Sequence, residues 1–138
     1  MTHLSKATAA GGALLVAAAL LAAGPAQAAP GVARDGDYLY LTVTKGDSHS
    51  SDTRGTLLLC DPPQGHSRAA EACAELDAVG GDIARVTPAK DAMCPMVYAP
   101  VTAQARGQWN GRPIEYRETF SNSCRLAALT GPVFALDG

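Results

Sequence analysis

The 138-residue chain offers few side chains that could carry chemistry of their own. It has 4 cysteines and 3 histidines, and its 13 acidic residues against 11 lysines and arginines give a formal net charge of −2. No Cys-x-x-Cys pair is present, which argues against a compact structural zinc site. His49 lies between Ser48 and Ser50 in a polar stretch, and His66 follows the turn composition of Asp61–Gly65. A catalytic base must be held and oriented beside a nucleophile, and loop composition supplies neither. Glu75, Asp77 and Asp82 are scattered acids and do not form a general acid–base pair. There is no Gly-x-x-x-x-Gly-Lys-Ser/Thr phosphate loop and no lysine or arginine run of the kind that binds nucleic acid. The expectation is a protein that is not an enzyme and holds no metal or cofactor.

What remains is presentation. The stretch Met93-Cys94-Pro95-Met96-Val97-Tyr98-Ala99-Pro100 sets a long unbranched side chain, Met96, between a proline and a β-branched residue. Pro95 fixes its own φ and biases Cys94 toward extended backbone, as Pro100 does for Ala99. The local reading is a stiff, extended segment that offers Met96 to a partner, with the ordering cost of binding already met. The alternative is a rigid loop beside a strand with Met96 in the core.

The run Met93–Tyr98 resembles the reactive loop of the Streptomyces subtilisin inhibitor family of secreted serine protease inhibitors. The resemblance continues through Ala78-Val79-Gly80-Gly81-Asp82 and Phe120-Ser121-Asn122-Ser123-Cys124, and covers nearly all of the chain after residue 28. It implies that Met96–Val97 is the bond presented to the protease. Met96 would fill the primary pocket and Met93 a secondary apolar one, with Val97 and Tyr98 on the leaving-group side. Contact would run along Met93, Cys94, Pro95, Met96, Val97, Tyr98 and Ala99. The implied action is substrate-like and reversible, on subtilisin-like proteases and, less well, chymotrypsin-like ones. A trypsin-like pocket would leave its buried carboxylate without a cation. Four cysteines allow three pairings; locality and the resemblance favour Cys60–Cys73 and Cys94–Cys124. Asn122 resembles the family residue that supports the loop from below, the alternative being a strand-end Asx turn. The resemblance also implies a homodimer formed through one sheet face. Ser123 departs from the pattern, replacing an acidic residue often seen before the last cysteine. A second reading is a secreted binding module without inhibitory chemistry, such as a ligand for a transglutaminase or a cell-surface partner. It would share the fold and the bridges but leave subtilisin active.

The elements that must position this stretch can be read along the chain. Residues 1–28 have the pattern of a secretory signal peptide: Lys6, an apolar run from Ala13 to Ala23, the breakers Gly24 and Pro25, then Ala26-Gln27-Ala28 before the cut. The apolar run is shorter than the roughly 20 residues a membrane span needs. The remaining residues, 29–138, make one extracellular domain in which disulfides are permitted. Ala29–Asp37 reads as a loose terminus. Tyr38–Thr44 alternates as a strand, with Leu39, Leu41 and Val43 facing the core and Tyr38, Tyr40 and Thr42 facing outward. Lys45–Arg54 is a polar loop, Thr56–Cys60 a strand, and Asp61–Gly65 a turn. Ser67–Val79 reads as the main helix, capped by Ser67 and stopped by Gly80-Gly81, with Ala69, Ala72, Cys73, Leu76 and Val79 on its buried face. Asp82–Ala92 is irregular, with Ile83 or Val86 turned inward. After the presented stretch comes a strand to Gln104 or Arg106, a tight turn at Asn110-Gly111 with Trp109 packing beside it, and a strand over Arg112–Phe120. In that strand Glu118 falls awkwardly on the side of Ile114 and Tyr116. A short helix over Cys124–Leu129 and a last strand over Val133–Leu136 complete the chain. The expected architecture is α+β in two layers, with about five mostly antiparallel strands against one main helix and a short second helix, tied by two disulfides.

Overall fold

The computed structural model describes residues 36–46 and 52–137. The leader, most of the loose terminus and His49 lie outside the described residues. The domain is α+β in two layers. A five-stranded sheet of β1 (Tyr38–Lys45), β2 (Thr53–Cys60), β3 (Pro63–Gln64), β4 (Val101–Trp109) and β5 (Arg112–Phe120) runs in the order β3-β2-β1-β4-β5. Every pairing in it is antiparallel. Two helices, α1 (Ala69–Ala78) and α2 (Ser123–Thr130), and the 3₁₀ turns Ile83–Arg85 and Gly131–Phe134 accompany it.

Alternation decides which face of the sheet is covered. Leu39 and Leu41 in β1, Leu58 in β2, and Ala103 and Ala105 in β4 are fully buried, and they join Ala72, Cys73 and Leu76 of α1 and Leu126 of α2 in one core. Burying a leucine of this kind is worth roughly 1.5–3 kcal/mol. On the opposite face Tyr38, Tyr40 and Leu57 stay exposed, and Tyr40 pairs directly across from Leu57. Threonine pairs line the same face, Thr44 with Thr53 at 2.8 Å and Thr102 with Thr119 at 2.9 Å between hydroxyl oxygens.

Turn chemistry holds the frame in register. Asn110 and Gly111 have φ of 49° and 73° and link Trp109 to its partner Arg112, the two-residue turn expected of Asn-Gly. Helix α1 ends in a Schellman motif, in which the Gly81 N–H donates to Leu76 O at 2.8 Å and the Gly80 N–H to Asp77 O at 3.2 Å. Gly80 is left-handed at φ 62°. A Cβ on Gly81 would lie 2.5 Å from the Cβ and Cγ of the fully buried Trp109, so only glycine fits there.

Several elements differ from the sequence reading. Helix α1 begins at Ala69 after an Arg68 cap without a side-chain bond, and not at Ser67. The imidazole of His66 supplies part of the capping, because its Nδ1 accepts the Arg68 N–H at 2.9 Å. Strand β2 starts at Thr53, three residues early, because β1 pairs with its polar end as well. The turn after Cys60 contains a cis Asp61–Pro62 bond and the short edge strand β3. The last strand, expected over Val133–Leu136, does not form. Gly131–Phe134 is instead a 3₁₀ turn continuing from α2, with Pro132, Val133 and Phe134 buried. Phe134 stacks on Tyr116 of β5 at 5.9 Å between ring centroids. Ile83 and Val86 are both buried. Glu118 has a reason for its side of β5: the Tyr116 hydroxyl donates to its carboxylate at 2.7 Å. Burial and this bond push the Tyr116 phenol well above its ordinary pKa.

Candidate functional site

Two disulfides tie the helices to the sheet and to the presented stretch. Cys60, at the end of β2, joins Cys73 on the buried face of α1, and Cys94 joins Cys124 in the first turn of α2. Between α1 and β4 the chain has no regular secondary structure from Ala92 to Pro100, yet it is anchored along its length. On the approach, the Ala89 N–H donates to Ala128 O at 2.7 Å. Next comes the Cys94–Cys124 bridge, with 5.6 Å between Cα atoms. On the far side the Ala99 N–H donates to Ser121 O at 2.9 Å, and Pro100 O accepts the Gly46 N–H at 2.7 Å.

The centre of the loop rests on Asn122. This residue is buried at the junction of β5 and α2 in extended backbone. Its Nδ2 donates to Pro95 O at 3.1 Å and to Val97 O at 2.9 Å, the carbonyls on either side of Met96. Its Oδ1 accepts the Arg125 N–H at 2.9 Å and so caps α2. The two readings of Asn122 are therefore one arrangement: both amide protons serve the loop and the oxygen serves the helix. Rotating the amide would set its oxygen against two carbonyls, so the orientation is determined by its partners.

Met96 is not in the core. It is fully exposed, Met93 is 94% exposed and Tyr98 81%, with Val97 also exposed. Cys94 is half-buried through its bridge, while Pro95 and Ala99 are exposed. The structure thus gathers Met93 through Ala99 on one projecting loop, with Asn122 and the second bridge beneath it. Sequence reasoning missed the backbone anchors at Gly46, Ala89, Ser121 and Ala128. They have no side-chain signature, so no residue type could have announced them.

His66 lies elsewhere and is structural. It is buried, its Nε2–H donates to Val133 O at 3.1 Å and its Nδ1 accepts the Arg68 N–H. Both nitrogens are thus committed to backbone. Burial lowers its pKa, the Val133 bond opposes that, and the Arg68 charge adds to it. Among the described residues no three histidines, cysteines or acids converge as a metal-ion site.

A small two-layer domain that carries a projecting, internally braced loop has the form of a protein that inserts a loop into a partner. The model of the subtilisin inhibitor-like family matches residues 35–122. A Streptomyces avermitilis protein named "Putative serine protease inhibitor" is 58% identical over 125 residues, covering 91% of this chain and 84% of its own length. The "Subtilisin inhibitor" of Streptomyces albogriseolus is 45% identical over 120 residues, 81% of this chain and 83% of its own. The Streptomyces caespitosus sermetstatin, solved in complex with Bacillus licheniformis subtilisin, superposes with a TM-score of 0.61 at 35% identity, over 73% of this chain and 99% of its own. The chain belongs to the subtilisin inhibitor-like family, a family of protease inhibitors.

Proposed function

We propose that the mature chain, residues 29–138 after removal of a signal peptide, is a secreted inhibitor of subtilisin-like serine proteases with Met96–Val97 as its reactive bond. One observation carries the reading: Met96 is fully exposed while the carbonyls on both sides of it are tied to one buried asparagine. An exposed apolar side chain on a held backbone suits a protease pocket, and the extended loop can pair with the cleft's strand edges. Met96 occupies the primary pocket, where its flexible thioether chain adapts to apolar walls. Met93 takes the secondary apolar pocket, and Val97, Tyr98 and Ala99 lie on the leaving side.

The same anchors explain why such a loop would inhibit and not be consumed. If the protease acylates on Met96, the chain on that side stays attached through Cys94–Cys124 and the Asn122 bond to Pro95 O. The new amine at Val97 stays held through Asn122, and the backbone bond at Ala99 fixes the chain beyond it. The amine therefore remains near the acyl carbon and the peptide bond reforms faster than the fragments separate. The chain contributes no catalytic group of its own. Chymotrypsin-like enzymes are secondary targets.

The exposed face of Tyr38, Tyr40 and Leu57 supports a two-fold homodimer that leaves both loops free. Sedimentation equilibrium on the mature chain is expected to give twice the chain mass at micromolar concentration; a single-chain mass refutes the dimer.

Titration of subtilisin with the mature chain tests the main reading, and one chain per enzyme should abolish activity. Met96→Lys should shift preference toward trypsin. Met96→Gly should weaken every complex by roughly 10- to 150-fold, from the 1.5–3 kcal/mol of a buried apolar anchor. Subtilisin that stays active at equimolar, micromolar inhibitor refutes inhibition, and a first cut at another bond moves the site.

A further inference from the structure

We propose that Met96 is a reversible oxidation switch: conversion of its thioether to the sulfoxide by a peroxide-class oxidant weakens protease binding without unfolding the chain. The inference rests on the reading of Met96 as the side chain that enters the primary pocket. It goes beyond that reading by making the inhibitor's affinity answer to the redox state of its surroundings.

The distribution of oxidisable groups in the molecule points this way. The four cysteines are all in disulfides, so no thiol competes for a mild two-electron oxidant. The chain's single tryptophan, Trp109, is fully buried. Of the three methionines, Met1 lies in the leader, while Met93 and Met96 both project from the loop. Mild oxidation of the folded domain is therefore directed to two thioethers, and both sit where the partner would bind. A sulfur lone pair attacks one peroxide oxygen, the O–O bond breaks and the S–O bond forms. The sulfur loses two electrons, and the departing hydroxide takes up the remaining proton as water. Methionine sulfoxide is returned to the thioether by dithiol-dependent reductases.

The consequence differs from that of oxidising a core methionine. In a core the new polar oxygen disrupts packing and the fold weakens. Here Met96 is fully exposed in the free chain, so the sulfoxide stays hydrated and the domain is undisturbed. The oxygen becomes costly only on binding, when an apolar pocket strips its water and offers no donor. A buried polar group without a partner corresponds to a roughly 5- to 150-fold loss of affinity. Met93, read as entering only the secondary pocket, should contribute less. Binding also covers Met96, so the complex should protect its sulfur while the free inhibitor remains sensitive.

The test uses the mature wild-type chain and the variants Met96→Leu and Met93→Leu, each divided into an untreated sample and one treated with hydrogen peroxide. Peptide mass spectrometry locates the added oxygen, subtilisin titration gives the ratio of treated to untreated affinity, and thermal melting checks the fold. The expected result is a roughly 5- to 150-fold loss for treated wild type and Met93→Leu, a clearly smaller loss for Met96→Leu, unchanged melting, and recovery after incubation with methionine sulfoxide reductases. Oxidised wild type that binds as tightly as untreated overturns the switch alone, as does an equal loss in Met96→Leu. Untreated wild type that leaves subtilisin active overturns the inhibitor reading, and the switch with it.

Discussion

Asn122 serves the loop and the helix at once, and substitution can separate the two roles. Asn122→Ala removes the acceptor that caps α2 and both donors to the loop. Losing an N-cap acceptor costs about 0.5–2 kcal/mol, typically about 1, and for a domain of this size 1 kcal/mol lowers the melting point by roughly 4–8 °C. The two bonds to Pro95 O and Val97 O are each worth about 0.5–1.5 kcal/mol net. Those carbonyls belong to exposed residues and can turn to water, so that part of the loss appears in the loop's shape more than in global stability. Asn122→Asp keeps an oxygen for the Arg125 N–H but has nothing to donate, and it sets a carboxylate against two carbonyl oxygens. Both variants should therefore hold Met96 poorly, and the aspartate variant should hold it worst, because its buried carboxylate repels the two carbonyls as well as failing to donate to them. If the bonds contribute about 1–3 kcal/mol to keeping the loop in its bound shape, both variants should be cleaved at Met96–Val97 roughly 5- to 150-fold faster than wild type. The assay is incubation with catalytic subtilisin, mass spectrometry of the cut chain over time, and melting curves for all three proteins. An Asn122→Asp chain that resists cleavage as wild type does would refute the idea that donation to the two carbonyls restrains the bond.

The two bridges should fail differently. Replacing Cys94 and Cys124 by serine should convert the inhibitor into a substrate, whereas replacing Cys60 and Cys73 should lower the melting point and spare inhibition; each loss should cost about 2–4 kcal/mol by denaturant unfolding. Because folding lowers the pKa of His66 below its ordinary 6.5, the unfolded chain takes up the proton first as pH falls. Stability should be complete above about pH 6.5 and decline below it until the folded-state pKa is passed, and His66→Gln should remove that dependence from the melting curves. Tyr40→Glu should abolish the proposed dimer in sedimentation while leaving the titration end point with subtilisin unchanged, because Tyr40 lies on the exposed sheet face and not on the loop.

Much of the fold was legible wherever one residue type serves a local rule. Leu39 and Leu41 alternate with Tyr38 and Tyr40 because one face of β1 is core and the other is not. Asn110-Gly111 admits a tight turn, and Gly80-Gly81 a left-handed stop. The misreadings came where a partner distant in sequence decides. Val133–Leu136 is a continuous apolar run, and such a run does not distinguish a buried strand from a buried helical turn. Ser67 has the composition of a cap, but its hydroxyl turns to Ala135 O at 3.5 Å, and the imidazole of His66 accepts the Arg68 N–H instead. Glu118 looked misplaced in β5 until the Tyr116 hydroxyl supplied its partner. Pro63 can sit in β3 because that strand is an edge, where a missing N–H is tolerated.

At the loop, side-chain identity and backbone support divide the work, and the division has a consequence. The residue types of Met93–Tyr98 mark a stiffened segment, because prolines and a cysteine that can bridge stiffen a segment wherever it lies. They leave Met96 free to face the core or a partner, and in the sequence only the family resemblance chooses between the two. What holds that segment in place is mostly backbone meeting backbone, at Ala89 with Ala128, Ala99 with Ser121 and Gly46 with Pro100, together with Asn122 and one disulfide. None of these contacts uses the Met96 side chain, which is exposed throughout. The side chain offered to a partner is thus energetically separate from the frame that offers it. Substitution at position 96 should change which protease is bound with almost no change in melting temperature, since exposed sites away from special features shift stability by no more than about 0.5 kcal/mol. Substitution at position 122 should change both at once. A melting point that falls by many degrees in Met96→Lys would mean that the loop draws on its own tip for stability, and tip and frame would then not be separate.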